Sequence, residues 1–250
     1  MGESTSFCKY SMDNDIGLFP YISSINLACG FHAGDAHTMH ELVDAALTAG
    51  ISIGAHPGYA DKENFGRTNQ HLSPSQVYDI VLYQVGALDA FLKIHGTKLQ
   101  HVKPHGALYN MAAKDAVLAE AICHAVKDFD KGLLLFGLSG SELIHAASRI
   151  DLASCSEVFA DRTYQDDGSL TARTENNALI ETNEGTIQQL LQIVTEQVVT
   201  SVSGKKVPIF ANTICIHGDG KHAMAFAKVI HSALTQQQIS ITAPQLIIEK

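Results

Sequence analysis

The feature that most restricts the fold of this chain is a strand end rich in histidine and glycine that occurs four times. Each follows an apolar segment, and segments with helical periodicity separate them. In a parallel α/β barrel or open sheet, successive strand ends meet at one mouth, where such proteins collect polar groups. A fifth strand end carries an acid and a base instead. The four histidine-bearing ends lie at residues 28–35, 54–59, 102–106 and 215–219, and the fifth lies at 157–162.

The alternation of strands and helices predicts one α/β domain with a parallel sheet, spanning residues 1–250. Helical spacing of apolar side chains predicts helices over residues 38–49, 187–198 and 223–234. Six strands are expected, at residues 22–28, 51–54, 99–103, 133–138, 157–160 and 207–216.

Local signals indicate where two further helices begin. Ser73 and Gln76, with proline between them, form a capping-box pattern that opens a helix. Ser139 and Glu142 repeat the pattern before the next helix. Residues 170–180, after the fifth strand, predict a β-hairpin or a lid.

Composition excludes several classes of function. The formal net charge of −9 argues against binding of nucleic acid. No apolar run has the length of a membrane span and the start has no signal-type core, so we expect a cytoplasmic protein. Five cysteines without paired spacing predict neither a disulfide framework nor a Cys-x-x-Cys metal site. No phosphate loop or dinucleotide-binding pattern is present, so the chain's own motifs predict no nucleotide site.

Two histidines at neighbouring strand ends are candidate metal ligands. His32 and His56 lie one strand apart, so their rings can converge on one divalent ion. Asp35 is a candidate helix N-cap and, because a capping acid faces the same mouth, a candidate substrate-binding residue. The alternative is that His32 is a core histidine bonded to the backbone and Asp35 is only a cap.

A polar group follows the third strand. Lys103, at the end of an apolar strand, predicts contact with an anion such as a substrate carboxylate, a phosphate or an oxyanion. His105 can transfer a proton near neutral pH, and Tyr109 is expected to help bind substrate. A surface turn is the alternative interpretation.

Acids and bases follow the fifth and sixth strands. Asp161 is a candidate general base, and Arg162 is a candidate substrate-binding residue. The alternative is that these two neighbours form a local ion pair that holds the loop. His217 and Asp219 precede the last helix and are candidate catalytic residues, although Asp219 is also a candidate N-cap.

Together these segments resemble the LamB/YcsF family, and the resemblance extends over nearly the whole chain. It implies a (β/α)7-type barrel of the glycoside hydrolase/deacetylase superfamily, with Asn26 among the substrate-binding residues. It also implies ATP-dependent opening of 5-oxo-L-proline to L-glutamate with partner subunits B and C. Because this chain has no phosphate loop, ATP activation is expected mainly in the partners. The resemblance rests on residues 24–35, 54–61, 65–67, 83–88, 102–110, 157–164 and 217–219.

One departure from the family pattern concerns the start of the chain. Family members begin with a strand of the type Leu-Asn-Cys-Asp before a Gly-Glu pair, whereas here Gly2 and Glu3 directly follow Met1. We therefore expect a barrel that lacks its first strand and the acid on it, which explains the count of six strands. Two other functions remain as alternatives. One is a metal-dependent amide or sugar deacetylase, and the other is a non-catalytic binding component of a partner complex.

Overall fold

Six parallel strands form the central sheet of this protein. The computed structural model describes residues 1–3, 15–218 and 223–245. The strands, in chain order, are β1 (Ser24–Ala28), β2 (Ser52–His56), β3 (His101–Val102), β4 (Leu134–Leu138), β5 (Ser154–Phe159), β6 (Val198–Thr200), β7 (Lys206–Pro208) and β8 (Thr213–Cys215). The sheet has the order β1-β2-β3-β4-β5-β8 with every pair parallel, and β6 pairs with β7 in a separate antiparallel ribbon. The predicted parallel α/β architecture is confirmed.

Helices connect the strands. In the described ranges the α-helices are α1 (Ala36–Thr48), α2 (Pro74–Lys93), α3 (Gly106–Ala112), α4 (Ala116–Phe129), α5 (Glu142–Arg149), α6 (Asn183–Leu191) and α7 (Ala223–Gln236). A 3₁₀ helix at Ile16–Tyr21 precedes β1, and a π-helical turn at Gln192–Glu196 follows α6. Helices α3 and α4 were not predicted from the sequence.

The helix α2 shows how local sequence and burial agree. Its first turn has the predicted capping box, in which the Gln76 N–H donates to Ser73 Oγ (3.3 Å) and the Ser73 N–H donates to Gln76 Oε1 (2.8 Å). One face of the helix is completely buried at Val77, Val81 and Val85. Burial of each such side chain contributes about 1.5–3 kcal/mol. The pattern therefore fixes both the start of α2 and the face that packs inward.

One predicted helix cap and one predicted strand were wrong. The N-cap of α5 is Ser141, and the Ser139 hydroxyl accepts instead from the backbone N–H of Phe210 (3.1 Å), so the second capping box does not form. The single strand predicted at 207–216 is divided into β7 and β8. The two segments pair with different partners, β7 with β6 and β8 with β5, so they belong to different sheets.

The sheet curls around one cavity of about 940 Å³, since residues from five of its six strands line it, together with Lys103 directly after β3. Residues 1–3 run beside β1, where the Ala28 N–H donates to the Met1 carbonyl (3.0 Å). Residues 170–180 form no hairpin of their own. They fold back on residues 162–164 through isolated antiparallel bridges. Among the described residues, no helix combines the length and the apolar character needed to cross a bilayer.

Candidate functional site

Four buried side chains meet at the carboxyl end of the first three strands. Glu3 comes from the segment beside β1, His32 follows β1, His56 ends β2 and His105 precedes α3. Each offers one ligand atom, and these atoms all lie within 4.8 Å of one another. The structure thus brings the two predicted metal ligands, His32 and His56, into one cluster, together with His105 and an acid that sequence reasoning missed.

The spacing of the ligand atoms suits a small divalent ion. His56 Nε2 and His105 Nδ1 are 3.0 Å apart. Glu3 Oε1 lies 3.3 Å from His32 Nε2 and 3.7 Å from His105 Nδ1. Tetrahedral zinc with bonds of about 2.0–2.1 Å places its ligand atoms roughly 3.4 Å apart. The cluster therefore has the donor types and the spacing of a metal site.

The hydrogen bonds of two rings give a second reason for a cation. His56 Nδ1 donates to the Lys103 carbonyl (2.6 Å), and His105 Nε2 donates to the Phe65 carbonyl (2.7 Å). Since a carbonyl only accepts, the two nitrogens that face each other at 3.0 Å both carry lone pairs in neutral rings. Burial lowers the pKa of both histidines, and neighbouring histidines lower it further. A metal ion between the nitrogens would remove the repulsion, and the carbonyls would fix the tautomers that metal ligands need.

Ring orientation separates the roles of His32 and His105. Their rings stack with centroids 3.7 Å apart and an interplanar angle of 5°. Because the ligating lone pair lies in the ring plane, one ion cannot lie in the planes of both rings. Among the described residues, His32 Nδ1 is buried without a hydrogen-bond partner. The geometry therefore favours Glu3, His56 and His105 as ligands. His32 stacks on His105 and is bonded to Glu3.

A buried ion pair lies in the same cavity. Lys103 Nζ is 2.7 Å from Glu157 Oε1 and donates to Cys215 Sγ (3.0 Å), and Tyr109 Oη donates to Glu157 (2.8 Å). Burial lowers the pKa of Lys103, but Cys215 and Glu157 raise it more, so its net pKa lies above the ordinary value. The anion that Lys103 contacts is thus a carboxylate of this chain.

At the opposite edge of the sheet, after β8, an acid is bonded to a histidine. His217 Nδ1 donates to Asp161 Oδ2 (2.9 Å), and the His217 ring stacks on Phe159. Burial raises the pKa of Asp161, but the charge and the hydrogen bond of His217 lower it by a larger amount. The net pKa of Asp161 therefore lies below its ordinary value. His217 lines the cavity and Asp161 is not among the lining residues. The group that faces the cavity is therefore His217, not Asp161, and Asp219 lies outside the described residues.

The remaining predicted residues divide into two groups. Asn26 and Arg162 line the cavity, and Arg162 also donates to the carbonyls of Ala178 (3.2 Å) and Thr171 (2.5 Å), which holds residues 171–178 in place. Asp35 is exposed, is not among the lining residues and accepts from the Thr38 N–H (2.8 Å). The structure supports Asp35 as the cap of α1, and the substrate role predicted for it has no geometric support.

Three further residues of this region were missed by sequence reasoning. Glu3 lies 29 positions before the histidine it contacts, and no local pattern connects the two. Glu157 and His101 did leave a signal, because each interrupts an apolar strand and is buried, and buried polar residues are uncommon without a partner. His101 is bonded to Asn26 Oδ1 (2.9 Å) and stacked on Phe136.

A second group of ligand-type side chains lies on the surface. His40, Asp44 and His95 also have ligand atoms within 4.8 Å of one another, but all three are exposed. They lie on α1 and just after α2, and are not among the cavity-lining residues. This surface group has to be controlled for in any measurement of metal content.

A curled parallel sheet with polar groups at the carboxyl ends of its strands defines an α/β protein of the barrel type. The chain belongs to the LamB/YcsF family, whose family model matches residues 1–248. It is 53% identical over 243 residues to the A subunit of 5-oxoprolinase from Tolumonas auensis, covering 97% of this chain and 96% of that protein. It is 52% identical over 246 residues to the A subunit of 5-oxoprolinase from Bacillus thuringiensis subsp. konkukian, covering 98% and 96%.

A solved structure agrees with the fold. The lactam utilization protein of Thermus thermophilus superposes with a TM-score of 0.89 at 41% sequence identity, covering 98% of this chain and 97% of that one.

Proposed function

We propose that this chain is the A subunit of an ATP-dependent 5-oxoprolinase and takes part in opening 5-oxo-L-proline to L-glutamate with partner subunits B and C. The names of the relatives support the activity. The observation that carries the proposal is that one cavity is lined by Glu3, His56 and His105 on one side and by His217 on the other. We also propose a cytoplasmic location, because the cysteines of the described ranges are free thiols.

The chemistry requires activation before hydrolysis. A lactam is a resonance-stabilised amide and a poor electrophile, and transfer of the ATP γ-phosphate to its carbonyl oxygen makes the ring carbon reactive. Water then adds to that carbon, the ring C–N bond breaks, and γ-glutamyl phosphate forms with a free amine. A second water releases phosphate and leaves glutamate. Each turnover consumes one 5-oxoproline, one ATP and two waters, and it forms one glutamate, one ADP and one phosphate.

His217 is the proposed proton-transfer group. With Nδ1–H held by Asp161 at 2.9 Å, its Nε2 is the basic nitrogen and can take a proton from the attacking water. Asp161 stabilises the imidazolium that results, and the same proton then passes to the leaving ring nitrogen. A divalent ion, when bound by Glu3, His56 and His105, would polarise the reacting oxygen.

Substrate anions need positive charge that is not already used inside the protein. Lys103 is paired with Glu157, so it does not supply that charge. Lys114 lines the cavity nearer to solvent, and it is the cation proposed to bind the substrate carboxylate or the transferred phosphate. The Lys103–Glu157 ion pair, which has no net charge, and Tyr109 then form a polar wall against which the lactam ring is proposed to lie.

The test is glutamate release from 5-oxoproline and ATP by subunits B and C, with and without this chain. Glutamate is expected only when the chain is present, and His217→Gln is expected to reduce turnover by on the order of 10²–10⁴-fold. His40→Ala, a change on the surface, is the matched control and should leave turnover unchanged. Full activity of His217→Gln would contradict a catalytic role and favour a binding component.

The second candidate is a metal-dependent amide hydrolase that works without ATP. It is favoured by the lone pairs of His56 and His105 that face each other at 3.0 Å, since zinc hydrolases need no activated substrate. Glutamate or acetate release by the chain alone, with zinc and without ATP, would support this function against the first.

A further inference from the structure

Two buried glutamines hold the loops that carry the two halves of the site. Gln84 lies on α2 and is completely buried, and Gln189 lies on α6 and is 9% exposed. Neither is among the residues that line the cavity. Each amide instead bonds to backbone groups of a loop that follows a strand of the sheet.

Gln84 pairs with both backbone groups of Gly58. The Gly58 N–H donates to Gln84 Oε1 (3.0 Å), and Gln84 Nε2 donates to the Gly58 carbonyl (2.9 Å) and to the Ile80 carbonyl (2.8 Å). Only an amide side chain can donate and accept in this way without carrying charge. The Gln84 side chain thus satisfies both the N–H and the carbonyl of Gly58, as a neighbouring strand would do within a sheet.

Gly58 lies directly against the stacked histidines. A Cβ at this position would come within 2.8 Å of His32 Nδ1 and 3.3 Å of His105 Cβ. Since there is no free space between the backbone and the rings, a shift of Gly58 would displace them. Gln84 thus holds the Gly58 backbone that contacts His32 and the proposed metal ligand His105.

Gln189 makes the corresponding contacts on the other side. Its Nε2 donates to the carbonyls of Phe159 (2.9 Å), Ala160 (3.3 Å) and Arg162 (2.8 Å), which flank Asp161. These bonds fix the backbone from which the Asp161 carboxylate reaches His217.

We propose that Gln84 and Gln189 are positioning residues that act on separate halves of the site. Gln84 sets the geometry of the Glu3, His56 and His105 cluster, and this half rests on the metal site proposed above. Gln189 sets the hydrogen bond between Asp161 and His217, and this half requires no metal. The two residues act through the backbone, so neither touches substrate.

The test compares Gln84→Met and Gln189→Met in the full-length chain, each serving as the control for the other. Both carry His40→Ala, which removes the surface group as a source of metal binding. The first readout is the dissociation constant for Zn²⁺ by calorimetry. The second is the tautomer of His217 from the ¹⁵N chemical shifts of its ring.

Gln84→Met should weaken Zn²⁺ binding about 10–100-fold and leave the tautomer of His217 unchanged. Gln189→Met should reduce the Nδ1–H tautomer and change Zn²⁺ affinity less than about twofold.

Several outcomes would overturn the proposal. Unchanged Zn²⁺ affinity in Gln84→Met would contradict the role proposed for Gln84. An unchanged His217 tautomer in Gln189→Met would contradict the role proposed for Gln189. Equal changes of both readouts in both variants indicate a general structural role and remove both halves. If the parent chain binds no Zn²⁺, the metal proposal and the Gln84 half fail together, whereas the tautomer still decides the Gln189 half. If either methionine variant fails to fold by circular dichroism, Gln84→Asn and Gln189→Asn, which keep a neutral amide but are one methylene too short for the donated bonds, decide the result.

Discussion

His56 Nε2 and His105 Nδ1 face each other at 3.0 Å, and the opposite nitrogen of each ring is bonded to a backbone carbonyl. The backbone thus fixes both rings in the tautomers that turn lone pairs toward one point. Glu3 adds a carboxylate beside this point. The arrangement is unfavourable when nothing positive lies between the rings and favourable once a cation is bound.

Metal binding is expected to stabilise the folded chain. At a free Zn²⁺ concentration 100 times the dissociation constant, the free energy of unfolding should rise by about 2.7 kcal/mol, because only the folded state assembles the ligands. Thermal unfolding with zinc and with a chelator measures this. Glu3→Gln should abolish most of the shift, and His40→Ala should retain it. The same shift in both variants would place the metal elsewhere.

Removal of the Lys103 charge is expected to destabilise the fold strongly. The Glu157 carboxylate lies 2.7 Å from the Lys103 ammonium, and Lys103→Met leaves it buried without its cation. We expect a loss of about 3–5 kcal/mol in the free energy of unfolding, measured in urea. The double variant Lys103→Met with Glu157→Gln removes both charges and should recover a large part. A double variant no more stable than the single one would contradict this account.

Burial of His101 is expected to make the fold sensitive to acid. Burial lowers the pKa of His101 to about 3, below the unfolded value of about 6.5. The unfolded state therefore binds the proton first, and stability is lost as the pH falls from about 6.5 to about 3, by up to about 1.4 kcal/mol per pH unit. Urea unfolding across this range measures the slope. His101→Gln should show a shallower slope, and an equal slope would mean that His101 does not contribute.

Substitution of two glycines by alanine is expected to change the free energy of unfolding in opposite directions. A Cβ at Gly54 would overlap the imidazole ring of His101, so Gly54→Ala should cost about 1–3 kcal/mol of stability. Gly86 lies within α2, and a Cβ there would come no closer than 3.9 Å to Phe129. Gly86→Ala should therefore stabilise by about 0.5–1 kcal/mol. Chemical denaturation of both variants provides the comparison, and destabilisation by Gly86→Ala would contradict it.

Much of the fold was readable from local patterns. The capping box of α2 and its apolar face predicted that helix, and apolar strand segments separated by helical periodicity predicted the parallel sheet. The second capping box failed because the Ser139 hydroxyl bonds to Phe210, 71 residues away. Short-range signals hold where neighbours in sequence are also the bonding partners, and fail where a distant segment provides the partner.

The sequence by itself determined the alternation of the central strands with most of the helices, and it placed His32, His56, His105 and His217 at strand ends, because side-chain periodicity is a local property. Only the tertiary structure decided which groups share a site. It added Glu3 to the histidines, paired Lys103 with Glu157 and paired Asp161 with His217. The physical reason is that charge pairing and desolvation depend on distances between residues far apart in the chain, which no local pattern encodes.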